Sequence, residues 1–124
     1  MSVPFLELLK QLVASVEGAS GAVLLESAGE AVQWHAVNES QVERLRLRSA
    51  YVAVVLQNSR AIASRIEAGR AAYLVLQYDS ASFIAQVVER DYFVIVELCP
   101  SANIGQALYR LQPICECLRR ELLA

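Results

Sequence analysis

The sequence predicts an α+β fold: a three-layer α/β/α sandwich built on a five-stranded antiparallel sheet, with the element order α-β-β-α-β-β-β-α. Apolar residues recur at helical spacing in three segments, and five further runs have the length and apolar content of strands. The first and last of these strands are strongly apolar. We therefore expect them at the centre of the sheet, with helices covering both of its faces.

The first helix is expected over about residues 3–17. Ser2 is a suitable N-cap, Pro4 fits the first turn, and Gly18 is a natural end. One face of this helix is apolar and is expected to contact the core. It carries Phe5, Leu8, Leu9, Leu12, Val13 and Val16.

Two strands that form a hairpin follow this helix. Residues 21–27 are almost continuously apolar, as in a central strand covered on both sides. The turn Ser27–Glu30 contains Gly29, which readily adopts a positive φ. Residues 31–36 then alternate between apolar and polar side chains, which predicts a half-buried strand.

The segment from Glu39 to about Ile66 is expected to form one long helix with two apolar stripes, begun by Asn38 or Ser40 as the cap. At about 100° per residue the stripes point roughly 130° apart. The first contains Val42, Leu45, Val52, Leu56, Ala63 and Ile66. The second contains Leu47, Tyr51, Val54, Val55 and Ile62. A third stripe is left for water and contains Arg46, Gln57, Arg60 and Ser64.

Two apolar stripes on one helix indicate an interaction module. A helix in a small domain needs one such stripe, to cover its own core. The second stripe predicts a second surface to cover, most simply the same helix of another copy. We therefore expect a homodimer that acts through protein–protein interaction.

The second half of the chain predicts three strands and a helix. The strands are expected over residues 71–78, 82–88 and 92–98. Ser101 is the expected N-cap of the last helix, and Pro113 inside it should produce a kink at a cost of about 3 kcal/mol. The core stripe of this helix contains Ile104, Leu108, Leu111, Cys115, Leu118 and Leu122.

Composition limits the class of protein. The 124 residues fit a single domain, 1–124, and the 56% hydrophobic content exceeds a usual value of about 45–50%. No run approaches the roughly 18 apolar residues of a membrane span, so we expect no membrane insertion and assign the excess to a subunit interface. The amino terminus does not resemble a secretion signal, and three cysteines fit reduced thiols in a cytoplasmic protein.

Motifs for catalysis, metal binding and nucleotide binding are missing from the sequence. His35 is the one histidine, and Cys115 and Cys117 diverge by about 200° on a helix, which does not suit zinc. No Gly-x-Ser-x-Gly or phosphate-loop motif occurs, because the five glycines are scattered. We therefore expect no catalytic residue, no metal, no cofactor and no nucleotide site, and a protein that is not an enzyme.

The order of elements and three stretches carry a resemblance to a known family. They are the hairpin turn Ser27–Glu30, the helical segment RSAYVAVV from Arg48 to Val55, and DYFVIVEL from Asp91 to Leu98, followed by Asn103–Gly105. In these features the chain resembles the roadblock/dynein light chain family, and in particular its bacterial gliding-motility regulators. The resemblance covers nearly the whole chain.

The resemblance implies a fold similar to profilin and longin domains. It also implies a dimer in which the long helices pair and the third strands, here 71–78, pair in antiparallel fashion. Such dimers are platforms for small Ras-like GTPases, as activating or scaffold subunits, or are dynein cargo adaptors. The interface residues expected here are Leu47, Tyr51, Val54, Val55, Asn58, Ile62, Tyr73, Val75 and Gln77.

Arg44, Arg46 and Arg48 open the long helix and are candidate partner-binding residues. They are either a solvated helix start, partly offset by Glu39 and Glu43, or a basic rim that meets an acidic partner. An arginine finger on a bound GTPase is a third interpretation. Nucleic acid is not an expected partner, because the chain has a net charge of −2 and the cluster lacks interleaved aromatic residues.

The favoured function is a non-catalytic dimeric regulator or scaffold that binds a small Ras-like GTPase and modulates its GTP hydrolysis or localisation. One alternative is a small-molecule-binding sensory domain, with a ligand held between the sheet and a helix. Another is a purely structural adaptor subunit. Large side chains facing the space between sheet and helix would disfavour the sensory domain, and a GTPase assay separates regulator from adaptor.

Overall fold

The computed structural model describes residues 4–124 and confirms the predicted fold class and element order. A short 3-10 turn, Glu39–Gln41, precedes the second helix. The elements are α1 (Phe5–Ser15), β1 (Ala19–Glu26), β2 (Ala31–Ala36), α2 (Val42–Arg65), β3 (Tyr73–Gln77), β4 (Ser82–Glu89), β5 (Tyr92–Leu98) and α3 (Ile104–Leu123). The predicted N-cap Ser2 lies outside the described residues.

The five strands form one antiparallel sheet in the order β2-β1-β5-β4-β3. The first and last strands, β1 and β5, pair with each other from Ala19 opposite Leu98 to Glu26 opposite Tyr92. This confirms their predicted central position. Within the described residues β3 pairs only with β4, so its other side is an unpaired sheet edge.

The two faces of the sheet carry separate cores, because side chains alternate along each strand. On β5, Val94 and Val96 face the layer formed by α1 and α3, whereas Phe93 and Ile95 face α2. Leu45 on α2 reaches so close to β1 that a Cβ at Gly21 would lie 2.6 Å from its Cδ2 atom. A glycine is therefore needed where α2 crosses β1.

Some boundaries differ from the prediction. Helix α2 ends at Arg65, and Glu67 adopts a positive φ of 58°, so Ile66 leaves the helix and is 67% exposed. Its predicted place in the core stripe is wrong. The N-cap of α3 is Asn103, not Ser101, and its Oδ1 atom accepts a hydrogen bond from Gln106 N at 2.9 Å.

None of the helices within residues 4–124 is long and apolar enough to cross a membrane. Cys115 lies on the face of α3 that packs into the core, as its helical spacing predicted. Burial raises the pKa of its thiol from 9.0 to about 12. Cys99 and Cys117 are half-buried, and all three cysteines are free thiols.

Candidate interaction surface

The face of α2 that points away from the sheet is apolar and exposed. Leu45, Val52 and Leu56 are buried against the sheet, while Tyr51 is 69% exposed and Val54 is 56% exposed on the opposite face. We call this face the outer stripe. It consists of Leu47, Tyr51, Val54, Val55, Asn58 and Ile62, all of them at least partly exposed. Exposed apolar surface of this kind is typical of interaction sites.

The edge strand β3 is a second apolar element at the surface. Its sequence Tyr-Leu-Val-Leu-Gln contains no charge and no proline, which are the usual protections of a free edge. Tyr73 and Gln77 are exposed, and Val75 between them is half-buried against the α1–α3 core. The unpaired backbone groups of β3 are therefore available for pairing with another strand.

A groove connects the outer stripe to β3. It has a volume of about 330 Å³ and runs between α2 and the β3–β4 hairpin, with Tyr51 and Val55 on one side and Leu76 and Phe83 on the other. Tyr78 also lines the groove and makes an edge-on ring contact with Phe83, with the ring centroids 6.3 Å apart. The groove thus joins the outer stripe to β3 through Leu76. Val75 packs on the other face of the sheet, against the α1–α3 core, and Tyr73 and Gln77 alternate with Leu74 and Leu76 in the same way.

The three candidate arginines do not form one rim. Arg46 lies on the side of α2 next to β2, where its guanidinium carbon is 3.9 Å from the centroid of the Trp34 ring. Arg48 projects towards β4 and β5, with its guanidinium carbon 5.3 Å from the centroid of the Phe83 ring. Arg44 is exposed beside a cleft at the start of α2. Arg46 is two residues from each of the others and so points to a different side of α2, whereas Arg44 and Arg48, four residues apart, lie on the same side.

Two residues of the stripe that was expected to face water, Gln57 and Arg60, instead pack along the sheet, while Arg46 and Ser64 are exposed as predicted. Gln57 donates a hydrogen bond from Nε2 to the carbonyl oxygen of Ser27 at 3.4 Å. Arg60 lies with its guanidinium carbon 5.3 Å from the centroid of the Phe93 ring. The prediction was wrong for these two residues because long polar side chains can cover apolar surface with their stems while their ends remain polar.

Sequence reasoning missed a buried carboxylate that holds Arg48. Glu97 on β5 is 7% exposed and faces α2. The hydroxyl of Ser20 donates to its Oε1 atom at 2.7 Å, and Nη1 of Arg48 lies 3.4 Å from its Oε2 atom. The signal was available, because Glu97 is the single charge within the apolar run 92–98. A buried charge of this kind needs a partner.

No family model and no curated protein matches this sequence. Solved structures match its fold. The Roadblock/LC7 domain from Streptomyces avermitilis is similar over 100% of both chains, with a TM-score of 0.84 and 18% identity. The gliding protein MglB from Thermus thermophilus is similar over 94% of this chain and 86% of its own, with a TM-score of 0.78 and 17% identity.

A more distant likeness extends to profilin IB from Acanthamoeba castellanii. It covers 95% of this chain and 98% of the profilin, with a TM-score of 0.56 and 14% identity. At these identities the likeness establishes the fold. The chain has the roadblock fold, which confirms the resemblance to roadblock domains and gliding-motility regulators at that level.

Proposed function

We propose that this chain is a non-catalytic regulator or scaffold that forms a homodimer and presents it to a small Ras-like GTPase. The observation that carries the proposal is the continuity of the outer stripe of α2 with the unpaired edge of β3. A single copy leaves both of these apolar elements in contact with water.

The dimer we propose brings α2 of one copy against α2 of the other and extends the sheet through β3. Antiparallel pairing about a two-fold axis at Val75 places Tyr73 of one copy opposite Gln77 of the other. This pairing satisfies the backbone groups that β3 leaves free, and strand addition at an edge is a common mode of association. The same surface meets itself, as a two-fold interface requires.

The GTPase partner is supported by the resemblance of the sequence to gliding-motility regulators and by the fold likeness to MglB. The chain shows no nucleotide-binding motif, so an effect on GTP hydrolysis has to act through the site of the partner. A rigid dimer changes the activity of a GTPase by binding one conformation of its switch regions more tightly than the other.

The arginines divide into different roles in this proposal. Arg48 is held by Glu97, so it fixes the position of α2 against β5. Arg44 forms no ion pair within residues 4–124 and is the candidate for contact with an acidic surface of the partner. These positions favour a charged contact between Arg44 and the partner over an arginine finger. A finger has to be held in place to reach the phosphates of the partner.

The alternative of a ligand held between the sheet and α2 is disfavoured by packing. Fully buried side chains occupy that space, among them Val23, Phe93 and Ile95 of the sheet and Leu56 of α2. The alternative of a purely structural adaptor has no effect on GTP hydrolysis, so an assay of the GTPase rate distinguishes it from a regulator.

A cytoplasmic location remains a prediction, which the three free thiols support. A single domain over 1–124 also remains a prediction.

Two measurements test this function in turn. Sedimentation velocity of the wild-type chain should give the mass of a dimer. The dimer should then bind a small Ras-like GTPase of the same organism at least about tenfold more tightly in one nucleotide state than in the other, and should change its rate of GTP hydrolysis. Binding that is equal in both states, with an unchanged rate, would leave only the adaptor role. No binding in either state would refute the GTPase partner.

A further inference from the structure

A second concave surface lies near the C-terminal end of α2, away from the outer stripe. It is a cavity of about 640 Å³. Four arginines from four different segments line it: Arg60 on α2, Arg70 in the α2–β3 loop, Arg90 in the β4–β5 turn and Arg119 on α3. We call it the arginine cavity.

The cavity forms because β4 extends beyond β3 at this end of the sheet. Tyr73 pairs with Gln86, and the last bond between these strands runs from Val87 N to the carbonyl oxygen of Ala72 at 3.1 Å. Beyond that point β4 continues to Glu89 with no strand on this side within the described part of the chain. The freed end of β4, together with the loop that leads into β3, forms the wall of the cavity.

Helices from both layers contribute to the site, at a point where the β4–β5 ladder is irregular. The register between β4 and β5 shifts between Val87 and Glu89. Val87 packs towards the α2 side and Val88 towards the α1–α3 core. Arg60 on α2 and Arg119 on α3 come from opposite faces of the sheet, and both line the cavity at this strand end. Bulges are frequent beside functional sites, where they redirect side chains.

The charge of the arginine cavity is unbalanced. Four arginines and one carboxylate, that of Glu89, line it, which gives a formal charge of +3 on a chain whose net charge is −2. Arg60 also donates a hydrogen bond from Nη1 to Oε1 of Gln57 at 3.2 Å. Arg70 and Arg90 form no ion pair within residues 4–124. Arg119 contacts Glu116 at 3.2 Å, but both side chains are about half exposed, so this pair is weak. Clustered like charges repel each other unless an anion lies among them.

The residue type indicates the chemistry of that anion. The chain contains ten arginines and one lysine, and the cavity uses arginine alone. The planar guanidinium group donates two parallel hydrogen bonds to an oxyanion, a geometry that matches phosphate especially well. Several such groups around one cavity suit a ligand with two or more negative charges.

We propose that the arginine cavity binds a phosphate-bearing anion, either a free small phosphate compound or the phosphomonoester headgroup of a lipid. The site is separate from the outer stripe and does not depend on the proposed dimer or its GTPase partner. It recognises the phosphoryl groups through charge and hydrogen bonds. No preference among attached bases is expected.

The test uses pyrophosphate as the probe, in titration calorimetry with the wild-type chain and with the double variant Arg70→Gln/Arg90→Gln. The control variant Lys10→Gln/Arg110→Gln removes the same charge from exposed side chains outside the cavity. Loss of two charge-assisted contacts should weaken binding at least about tenfold in the cavity variant. The control should bind within about twofold of the wild type, because distant exposed charges are screened.

A second arm distinguishes the two sources of the phosphate. Vesicles of phosphatidylcholine with and without phosphatidic acid are sedimented with the same three proteins. Pyrophosphate binding without vesicle binding identifies a free anion as the ligand, and binding only to phosphatidic acid vesicles identifies a headgroup. In either case the cavity variant, and not the control, should lose binding. Wild-type protein that binds neither probe overturns the proposal, and so does an equal loss in the control variant. The sedimentation mass of each variant shows separately whether the dimer is intact.

Discussion

Val54 is the outer-stripe position at which a single substitution should separate the two copies of the proposed dimer. Its side chain is 56% exposed in one copy, and full burial of a valine is worth roughly 1.5–3 kcal/mol. Covering the exposed part therefore contributes about 1–1.5 kcal/mol from each copy. Val54→Arg removes this contribution twice and brings two guanidinium groups into the interface.

Burial of those two charges adds the larger penalty. A desolvated ion without a partner carries an effective penalty of several kcal/mol, of which a long side chain at a surface avoids a part. A combined loss of about 4 kcal/mol weakens the dimer about a thousandfold. We expect Val54→Arg to sediment as a monomer at concentrations where the wild type is a dimer.

The matched control is Val37→Arg, which places the same charge on a valine that is 68% exposed in the loop after β2. This variant should remain a dimer. Far-ultraviolet circular dichroism of both variants checks that the fold is intact. The reasoning is refuted if Val54→Arg dimerises as tightly as the wild type, or if the wild type is itself a monomer at about 100 μM, a concentration at which interfaces of ordinary micromolar affinity are occupied.

Three further predictions concern stability and thiol reactivity. Arg48→Ala leaves the buried carboxylate of Glu97 without its counter-ion and should lower the free energy of unfolding by about 2 kcal/mol in urea titrations, less than for a fully buried pair because Arg48 is partly exposed. Gly21→Ala should lower it by about 1–3 kcal/mol, because the added Cβ lies 2.9 Å from the backbone carbonyl oxygen of His35, which cannot move without disturbing β2, as well as 2.6 Å from Cδ2 of Leu45. Burial raises the pKa of Cys115 to about 12, so its contribution to stability is complete below its ordinary pKa of 9.0 and is lost as the pH rises from 9.0 towards 12. Under native conditions this thiol should be alkylated last.

Each of these predictions has its own control. Addition of Glu97→Gln to Arg48→Ala should recover part of the lost stability, since no buried charge then remains; additive losses would contradict the pairing. Gly105→Ala, in the first turn of α3 with its nearest contact at 3.4 Å, should raise stability by about 0.5–1 kcal/mol. Cys99 and Cys117 are the internal standards for alkylation, and equal rates at all three thiols would contradict the burial of Cys115. All titrations use one protein concentration, because dimerisation itself stabilises the fold.

The periodicity of the sequence was sufficient for the element order and for both stripes of α2. Helical and strand patterns are local, so the core positions Leu45, Val52 and Leu56 and the exposed positions Tyr51 and Val54 could be assigned from spacing alone. The central position of β1 and β5 followed from their apolar runs. The predictions for Ile66 and Ser101 were wrong because α2 ends in a turn before Ile66 and α3 begins only after Asn103. Hydrophobic spacing does not indicate such turns at helix ends.

Contacts between distant segments were decided only by the tertiary structure. Arg48 and Glu97 meet because the central strand β5 lies beneath α2, and the arginine cavity exists because Arg60, Arg70 and Arg90 converge where β3 and β4 separate. Composition and local pattern predicted the burial of the apolar core positions, since these depend on polarity and spacing, but not the burial of Glu97. They did not predict which residue pairs with a charged side chain, because that pairing depends on which elements the fold brings side by side.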